Sequence, residues 1–119
     1  IAEAKRCLHC GCRAIDDCKL RTYSDDYQVN QRRFKTSERR KITKLNNHSS
    51  IIYEPGKCIK CGICVRLTAK YGEEFGFTYI GRGFDVEIGV PFNKGLEQAL
   101  AETADKVAQG CPTGAISLK

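Results

Sequence analysis

Apolar and polar residues follow one another in this chain with two different periods, and these predict both helices and strands. The clearest helix covers residues 94–110, with one face formed by positions at helical spacing: Leu96, Leu100, Thr103 and Val107. A second helix is predicted from about residue 62 to 71, ahead of the glycine at 72. A third, over residues 18–30, has Leu20, Tyr23 and Tyr27 at helical spacing.

Shorter segments have the alternation or β-branched content of strands. Residues 50–54 predict a strand that ends at Pro55-Gly56, and residues 115–119 predict the last strand. Residues 77–90 predict a β-hairpin with a tight turn at Gly81-Arg82-Gly83 and alternating apolar positions on both sides: Phe77, Tyr79, Phe84, Val86 and Ile88. The polar and basic segment 31–50 predicts a loop or linker.

The order of these elements predicts an α+β fold in two parts. Residues 1–50 form a cysteine-rich module with a basic linker, and residues 51–119 contain most of the predicted helices and strands. The sequence has no signal peptide and no apolar run long enough to insert into a membrane. It contains no methionine, not even at its start, so we expect a fragment or an excised domain.

The number and spacing of the cysteines add the most to this fold prediction, because they indicate a function. Eight cysteines occur in 119 residues, and seven form two tight groups, whereas a secreted disulfide scaffold scatters its cysteines. Closely spaced thiolates of this kind bind a metal ion or an iron–sulfur cluster, which implies a reducing, cytoplasmic compartment. The first group is Cys7, Cys10, Cys12 and Cys18, and the second is Cys58, Cys61 and Cys64.

The second group begins a ferredoxin-type ligand run, C-x2-C-x2-C-x3-C-P, but Thr68 takes the place of its fourth cysteine. The eighth cysteine, Cys111, is followed by proline, as the last cysteine of such a run is. In two-cluster ferredoxins the fourth cysteine of each run ligates the other cluster. We therefore predict one [4Fe-4S] site formed by Cys58, Cys61, Cys64 and Cys111.

The complementary site of a two-cluster ferredoxin cannot form in this chain. Its ligand positions are Thr68, Ala101, Ala104 and Val107. We predict that residues 51–119 keep a bacterial-ferredoxin-like, pseudo-twofold fold in which small side chains fill the lost site. The strand near Ile51 should then lie beside the strand near Leu118, and helices 62–71 and 95–109 should pack antiparallel.

The first group has the spacing C-x2-C-x-C-x5-C, which is enough for a second [4Fe-4S] cluster. Zinc is the alternative, because it accepts four cysteines, or three cysteines and a histidine such as His9. We predict that Cys7, Cys10, Cys12 and Cys18 are the ligands and that His9 is not. His48, in a polar segment, is expected to be solvated.

Five stretches resemble the two-cluster iron–sulfur region of the large iron–sulfur subunit of NADH:quinone oxidoreductase (complex I). Related regions of NAD-linked formate dehydrogenases and iron-only hydrogenases are similar. The resemblance implies the same [4Fe-4S] site with Cys111 as its distant ligand. The stretches are CRAIDDCKLR (12–21), RRF (32–34), YEPGKCIKCGICVR (53–66), GRGFDVEIG (81–89) and CPTGAI (111–116).

The first group departs from that family's pattern, His-x3-Cys-x2-Cys-x5-Cys. Cys12 and Cys18 match its last two ligands, but His9 stands at the first cysteine position and Lys5 at the histidine position. Cys7 and Cys10 are the expected replacements. The segment EAKRCLHCG also resembles, more weakly, glutamate-synthase-like flavoproteins, which implies a possible fusion to a flavin- and NAD(P)H-binding module.

These observations predict an electron-transfer module with two [4Fe-4S] clusters and no catalytic site of its own. Its partners would be flavin- or NAD(P)H-binding domains or subunits of a larger oxidoreductase. The alternative is a zinc-bearing nucleic-acid-binding or structural metal domain, which the net charge of +6 and the basic run at 32–44 favour. Two clusters of charge about −2 each would lower that net charge to about +2, and the run has few aromatic residues, so we expect no nucleic-acid partner.

Overall fold

The protein is described by a computed structural model, which places residues 12, 14, 16–30, 33 and 43–119. Within these residues it contains short helices and strands in mixed order, as the predicted α+β class requires. Single 3-10 turns lie at Pro55–Lys57, Gly83–Asp85 and Pro91–Asn93. The longer elements are α1 (Lys19–Asp26), β1 (Ile51–Tyr53), α2 (Ile63–Lys70), β2 (Thr78–Ile80), β3 (Glu87–Gly89), α3 (Leu96–Ala99), α4 (Ala104–Gly110) and β4 (Ile116–Leu118).

The described strands form two small antiparallel sheets. β1 pairs with β4, so that Ile51 lies opposite Leu118 and Tyr53 opposite Ile116. β2 pairs with β3 in the predicted hairpin, with Tyr79 opposite Ile88. The predicted pairing of the strand near Ile51 with the last strand is therefore confirmed.

Helices α2 and α4 pack against each other in opposite directions. The side chain of Ile63, at the start of α2, lies beside Gly110 at the end of α4. At the other end, the Lys106 ammonium lies 3.9 Å from the centre of the Tyr71 ring, just after α2. The predicted antiparallel arrangement of these helices is confirmed.

The core lies between these helices and the two sheets. The rings of Tyr53, in β1, and Phe77, directly before β2, lie with their centres 5.4 Å apart and their planes tilted by 59° and link the two sheets. The three apolar positions of the predicted 94–110 stripe are buried, as their helical spacing indicated. The main members of this core are Ile51, Tyr53, Phe77, Ile88, Leu96, Leu100, Val107 and Ile116.

The prediction of one continuous helix over 94–110 is wrong. The helix breaks after Ala99 and starts again at Ala104. At the break, the Glu73 carboxylate accepts hydrogen bonds from the backbone N–H groups of Glu102 (2.9 Å) and Thr103 (2.7 Å) and from the Thr103 hydroxyl (2.7 Å). These bonds hold the two residues that directly precede α4.

The hairpin is confirmed, but its connection is longer than the predicted tight turn. A 3-10 turn at Gly83–Asp85 separates the strands, so Phe84 does not continue the alternation and is fully exposed. Only Ile88 of the second predicted strand is buried. The helix predicted over 18–30 is present as the shorter α1, and its apolar stripe of Leu20, Tyr23 and Tyr27 is exposed.

His48 is buried, with 6% of its surface exposed, so the prediction that it is solvated is wrong. Its Nε2 lies 3.0 Å from the Leu100 carbonyl oxygen, and its Nδ1 accepts a hydrogen bond from the Ser50 backbone N–H at 3.0 Å. A neutral ring with the proton on Nε2 satisfies both contacts. His48 therefore ties the segment before β1 to the end of α3.

Candidate metal centre

Four cysteines from two distant parts of the chain line one pocket. The first three come from the segment between the 3-10 turn at Pro55–Lys57 and the first turn of α2, and the fourth follows directly after α4. The antiparallel packing of α2 and α4 brings these two parts together. The four residues are Cys58, Cys61, Cys64 and Cys111.

The loop that carries the first three cysteines has an unusual backbone. Lys60 has φ +58° and Gly62 has φ +74°, two left-handed residues within three positions. This path allows the Lys60 N–H to donate a hydrogen bond to the Cys58 sulfur, with a separation of 3.3 Å. The Tyr79 hydroxyl donates to the Lys60 carbonyl oxygen at 3.4 Å and lies where a side chain at position 62 would be, so only glycine fits there.

Helix α2 begins at the pocket. Gly62 occupies its N-cap position and has no side chain to accept hydrogen bonds from the first turn of the helix. The N-terminus of a helix carries partial positive charge and favours negatively charged groups. Cys64 lies in that first turn, so the thiolate form of this residue is favoured by position, although not by burial.

Burial raises the pKa of the Cys64 thiol to about 11, and the neighbouring Cys58, Cys111 and Cys61 add to this shift, whereas a backbone N–H of Val65 opposes it. Cys64 therefore keeps its proton at neutral pH in the absence of a bound cation. Metal coordination replaces that proton directly, because a coordinated thiol is deprotonated. A group of thiols held in an apolar pocket thus favours a cationic or metal-containing ligand.

The rest of the pocket wall is mostly apolar. Tyr53 contributes its ring, and its hydroxyl donates a hydrogen bond to the Ile88 carbonyl oxygen at 2.5 Å. Burial, together with the nearby cysteines Cys58, Cys64 and Cys111, raises the pKa of Tyr53, so this hydroxyl stays neutral. One side of the pocket is open, because Cys61 is exposed.

The described cysteines are free thiols, and no disulfide joins any of the six that the structure places. Among the same residues, no three His, Cys, Asp or Glu side chains lie close enough together to hold a single metal ion.

Thr68, the residue at the position of the missing fourth ligand, is built into the core. Its hydroxyl donates to the Val65 carbonyl oxygen at 3.0 Å and accepts from the Phe77 N–H at 3.2 Å. Gly76 packs directly on it, and a Cβ at that position would lie 2.7 Å from the Thr68 hydroxyl oxygen. Ala104 and Val107, at the other lost ligand positions, are buried, whereas Ala101 is exposed, contrary to the prediction that it fills a gap.

The first cysteine group is placed in part. Cys12 and Cys18 both lie beside the 111–114 segment: the Cys12 sulfur contacts Gly114, and the Cys18 sulfur lies 3.9 Å from the Pro112 carbonyl oxygen. Cys7, His9 and Cys10 lie outside the described residues. Their predicted roles stay predictions.

Several residues that shape the pocket were not singled out from the sequence. Tyr79, which covers the cysteine loop, was predicted only as a strand position, and Tyr53 only as part of a strand. Thr113 is a third: its hydroxyl lies 3.7 Å from the Cys111 sulfur and donates to the Lys57 carbonyl oxygen at 3.1 Å. The sequence signal for all three is their position next to a cysteine motif or on a strand leading to one.

Comparison with known proteins identifies a related family and a similar solved structure. Residues 49–117 match the family model described as the ferredoxin-like domain of NADH-quinone oxidoreductase subunit 3. The crystal structure of an NAD+-reducing [NiFe]-hydrogenase in the H2-reduced state superposes with a TM-score of 0.79 at 25% sequence identity. That match covers 94% of this chain but 47% of the hydrogenase chain, so the chain spans less than half of the length of that relative.

Proposed function

The chain belongs to the family of NADH-quinone oxidoreductase subunit 3 ferredoxin-like domains, and from that premise we propose that it is an electron-transfer module with two [4Fe-4S] clusters. One site would use Cys58, Cys61, Cys64 and Cys111. The other would use Cys7, Cys10, Cys12 and Cys18. The two parts of the chain, residues 1–50 and 51–119, would each contribute one site.

The observation that carries this proposal is the meeting of four cysteines in one pocket, three from a C-x2-C-x2-C run and one from a distant Cys-Pro pair. These are the donors that a [4Fe-4S] cluster takes. The adaptation of Thr68 to the core supports one cluster, not two, within residues 51–119.

The protein's own residues have three tasks in this proposal. A [4Fe-4S] cluster supplies one-electron redox chemistry, and its potential depends on hydrogen bonds to the sulfurs and on exposure to solvent. The Lys60 N–H donates to the Cys58 sulfur, which stabilises negative charge there. Tyr53 and Ile88 exclude water from the inner wall, and the exposed Cys61 leaves one side of the pocket open to a partner.

The partners follow from the same family. The matched hydrogenase is described as NAD+-reducing, so we infer that this chain exchanges electrons with a flavin- or NAD(P)H-linked centre in a larger oxidoreductase. We propose no catalytic role for the residues that the structure describes. A reducing compartment such as the cytoplasm is proposed, because cysteines that bind a cluster must not be paired in disulfides.

Metal analysis tests the proposal most directly. After anaerobic purification we expect about eight iron and about eight acid-labile sulfide per chain, because each [4Fe-4S] site holds four of each. The protein should be brown, with broad absorption near roughly 400 nm that dithionite bleaches. About four iron with one zinc would assign zinc to the 7–18 group. A colourless protein without iron would contradict the proposed function.

A further inference from the structure

The 111–114 segment, Cys-Pro-Thr-Gly, contacts both cysteine groups. On one side, Cys111 lines the pocket of the second group, and Thr113 is fixed there by hydrogen bonds: its hydroxyl donates to the Lys57 carbonyl oxygen at 3.1 Å and accepts from the Ala115 N–H at 3.2 Å. The other side of the segment receives two residues of the first group. This backbone is therefore common to both regions.

Gly114 receives the first of these residues. The Cys12 sulfur occupies the space that a side chain at position 114 would need, and the Ala14 methyl group lies 3.5 Å from the same point. Gly114 does not have a positive φ, unlike Gly62 and other turn glycines of the described chain. Its lack of a side chain is thus required by the sulfur that packs on it and not by the backbone conformation.

Pro112 receives the second. Its carbonyl oxygen accepts a hydrogen bond from the Leu20 N–H in the first turn of α1 at 3.3 Å, and the Cys18 sulfur lies 3.9 Å away. One carbonyl group thus fixes both Cys18 and the beginning of α1. Because Pro112 has a ring-restricted φ, the direction of this segment is well determined.

Lys57 adds a further contact. Its side chain is hydrogen-bonded to Glu54 and also to Cys12. Lys57 directly precedes Cys58, so this contact also joins the region of the second group to a residue of the first.

From these contacts we propose that the 111–114 segment supports the first cysteine site. Gly114 would be a positioning residue, because its lack of a side chain leaves room for Cys12. The inference rests on the proposed function, because it assumes that Cys12 and Cys18 are ligands. It adds that residues of the ferredoxin-like domain hold the first site in place. A change at Gly114 should therefore act on the first site and leave the second intact.

Gly114→Ala in the full chain tests this proposal. We expect iron to fall from about eight to about four per chain, with loss of the electron paramagnetic resonance signal that Cys7→Ser also removes and retention of the signal that Cys111→Ser removes. Gly95→Ala is the matched control, since φ there is −77° and a new Cβ would lie 3.5 Å from the Asn47 Nδ2, an ordinary contact. It should keep about eight iron. Wild-type iron and spectra in Gly114→Ala would overturn the proposal.

A double-mutant cycle covers the case in which Gly114→Ala folds poorly. Melting temperatures of the full chain as purified are measured for wild type, Gly114→Ala, Cys12→Ala and the double variant. In the Cys12→Ala background the new methyl group meets no sulfur, so the shift caused by Gly114→Ala should largely disappear. An equal shift in both backgrounds would overturn the contact. Because this cycle measures the contact and not the iron content, it separates failure of this support from failure of the proposed function.

Discussion

Cys111 is the residue on which the proposed second site depends most directly, because it reaches the pocket from a separate part of the chain. We expect Cys111→Ser to lose or degrade the second cluster and to leave the spectrum of the 7–18 cluster unchanged. Cys7→Ser should have the reverse effect. The measurement is iron content together with electron paramagnetic resonance of the reduced protein. A Cys111→Ser protein with full iron and an unchanged spectrum would contradict the cross-over assignment.

A second prediction concerns the hydroxyl group of Tyr53. Tyr53→Phe keeps the ring that packs on Phe77 and removes only the hydroxyl that donates to the Ile88 carbonyl oxygen. We expect the free energy of unfolding to fall by about 1 kcal/mol, the usual net value of one intramolecular hydrogen bond. Chemical denaturation of the metal-free protein measures it. Tyr27→Phe, at an exposed position, is the control and should change stability little.

The position of Cys111 beside the second cysteine group could be predicted, whereas the residues that support the pocket could not. Spacing and the following proline predicted that Cys111 would lie near Cys58, because ligand runs follow a fixed count along the chain. No fixed spacing in the sequence marks Tyr53 or Gly114. Their roles depend on which strand or loop packs beside them, and that is decided by contacts between residues far apart in sequence.

At the scale of elements, the break between α3 and α4 is the largest difference from the prediction. The apolar spacing of Leu96, Leu100 and Val107 correctly indicated one buried face. It could not reveal the break, because the group that stabilises it, Glu73, lies about thirty positions earlier in the chain. The spacing of apolar residues indicates which side of a segment is buried. It contains no information about a distant carboxylate, such as that of Glu73, that interrupts the helix.

Glu73 provides a prediction for pH. Burial would raise the pKa of its carboxyl group, but hydrogen bonds from the Thr103 hydroxyl and from the backbone N–H groups of Glu102 and Thr103 outweigh it, and the pKa is lowered from its ordinary 4.5. The stabilisation is therefore complete above pH 4.5 and is lost as the pH falls through the lower folded-state value.

Glu73→Ala should reduce stability by about 1 kcal/mol at pH 7, because the hydrogen bonds that hold the break between α3 and α4 are lost. The difference from wild type should shrink in acid, because the wild-type carboxylate is then protonated. Thermal melts from pH 7 to pH 3 measure this. Glu74→Ala changes the exposed neighbour and should show neither effect. A Glu73→Ala deficit that stays constant with pH would mean that the carboxylate charge does not strengthen these hydrogen bonds.

For the whole molecule, the family match covers residues 49–117, and the similarity to the hydrogenase chain extends over 94% of this chain. In the part of the chain that the structure describes, no helix is long and apolar enough to cross a membrane. The fold class was predictable because strand and helix signals occur in ferredoxin order around the cysteines. The contact between Cys12 and Gly114 was not, since it joins segments that carry no shared periodicity.

The pairing of β1 with β4 places residues 50 and 119 side by side at one end of this sheet. Lys119 donates its N–H to the Ser50 carbonyl oxygen at 2.9 Å, and the next pair inward is Ile51 with Leu118. Tension applied at residues 50 and 119 would thus break the strand pairs one after another from this edge, instead of loading all pairs together. Local fraying should follow the same order.

Among the amides bonded across this ladder, hydrogen exchange should then be faster at Lys119 than at Glu54, whose N–H donates to the Ala115 carbonyl oxygen at 2.7 Å. Equal exchange at the two positions would show that the sheet opens as a whole. Only three residues separate Cys111 from Ala115, at the inner end of the ladder. Complete opening would therefore release the turn that carries Cys111. The pairing of β4 with β1 thus helps to retain the proposed cluster.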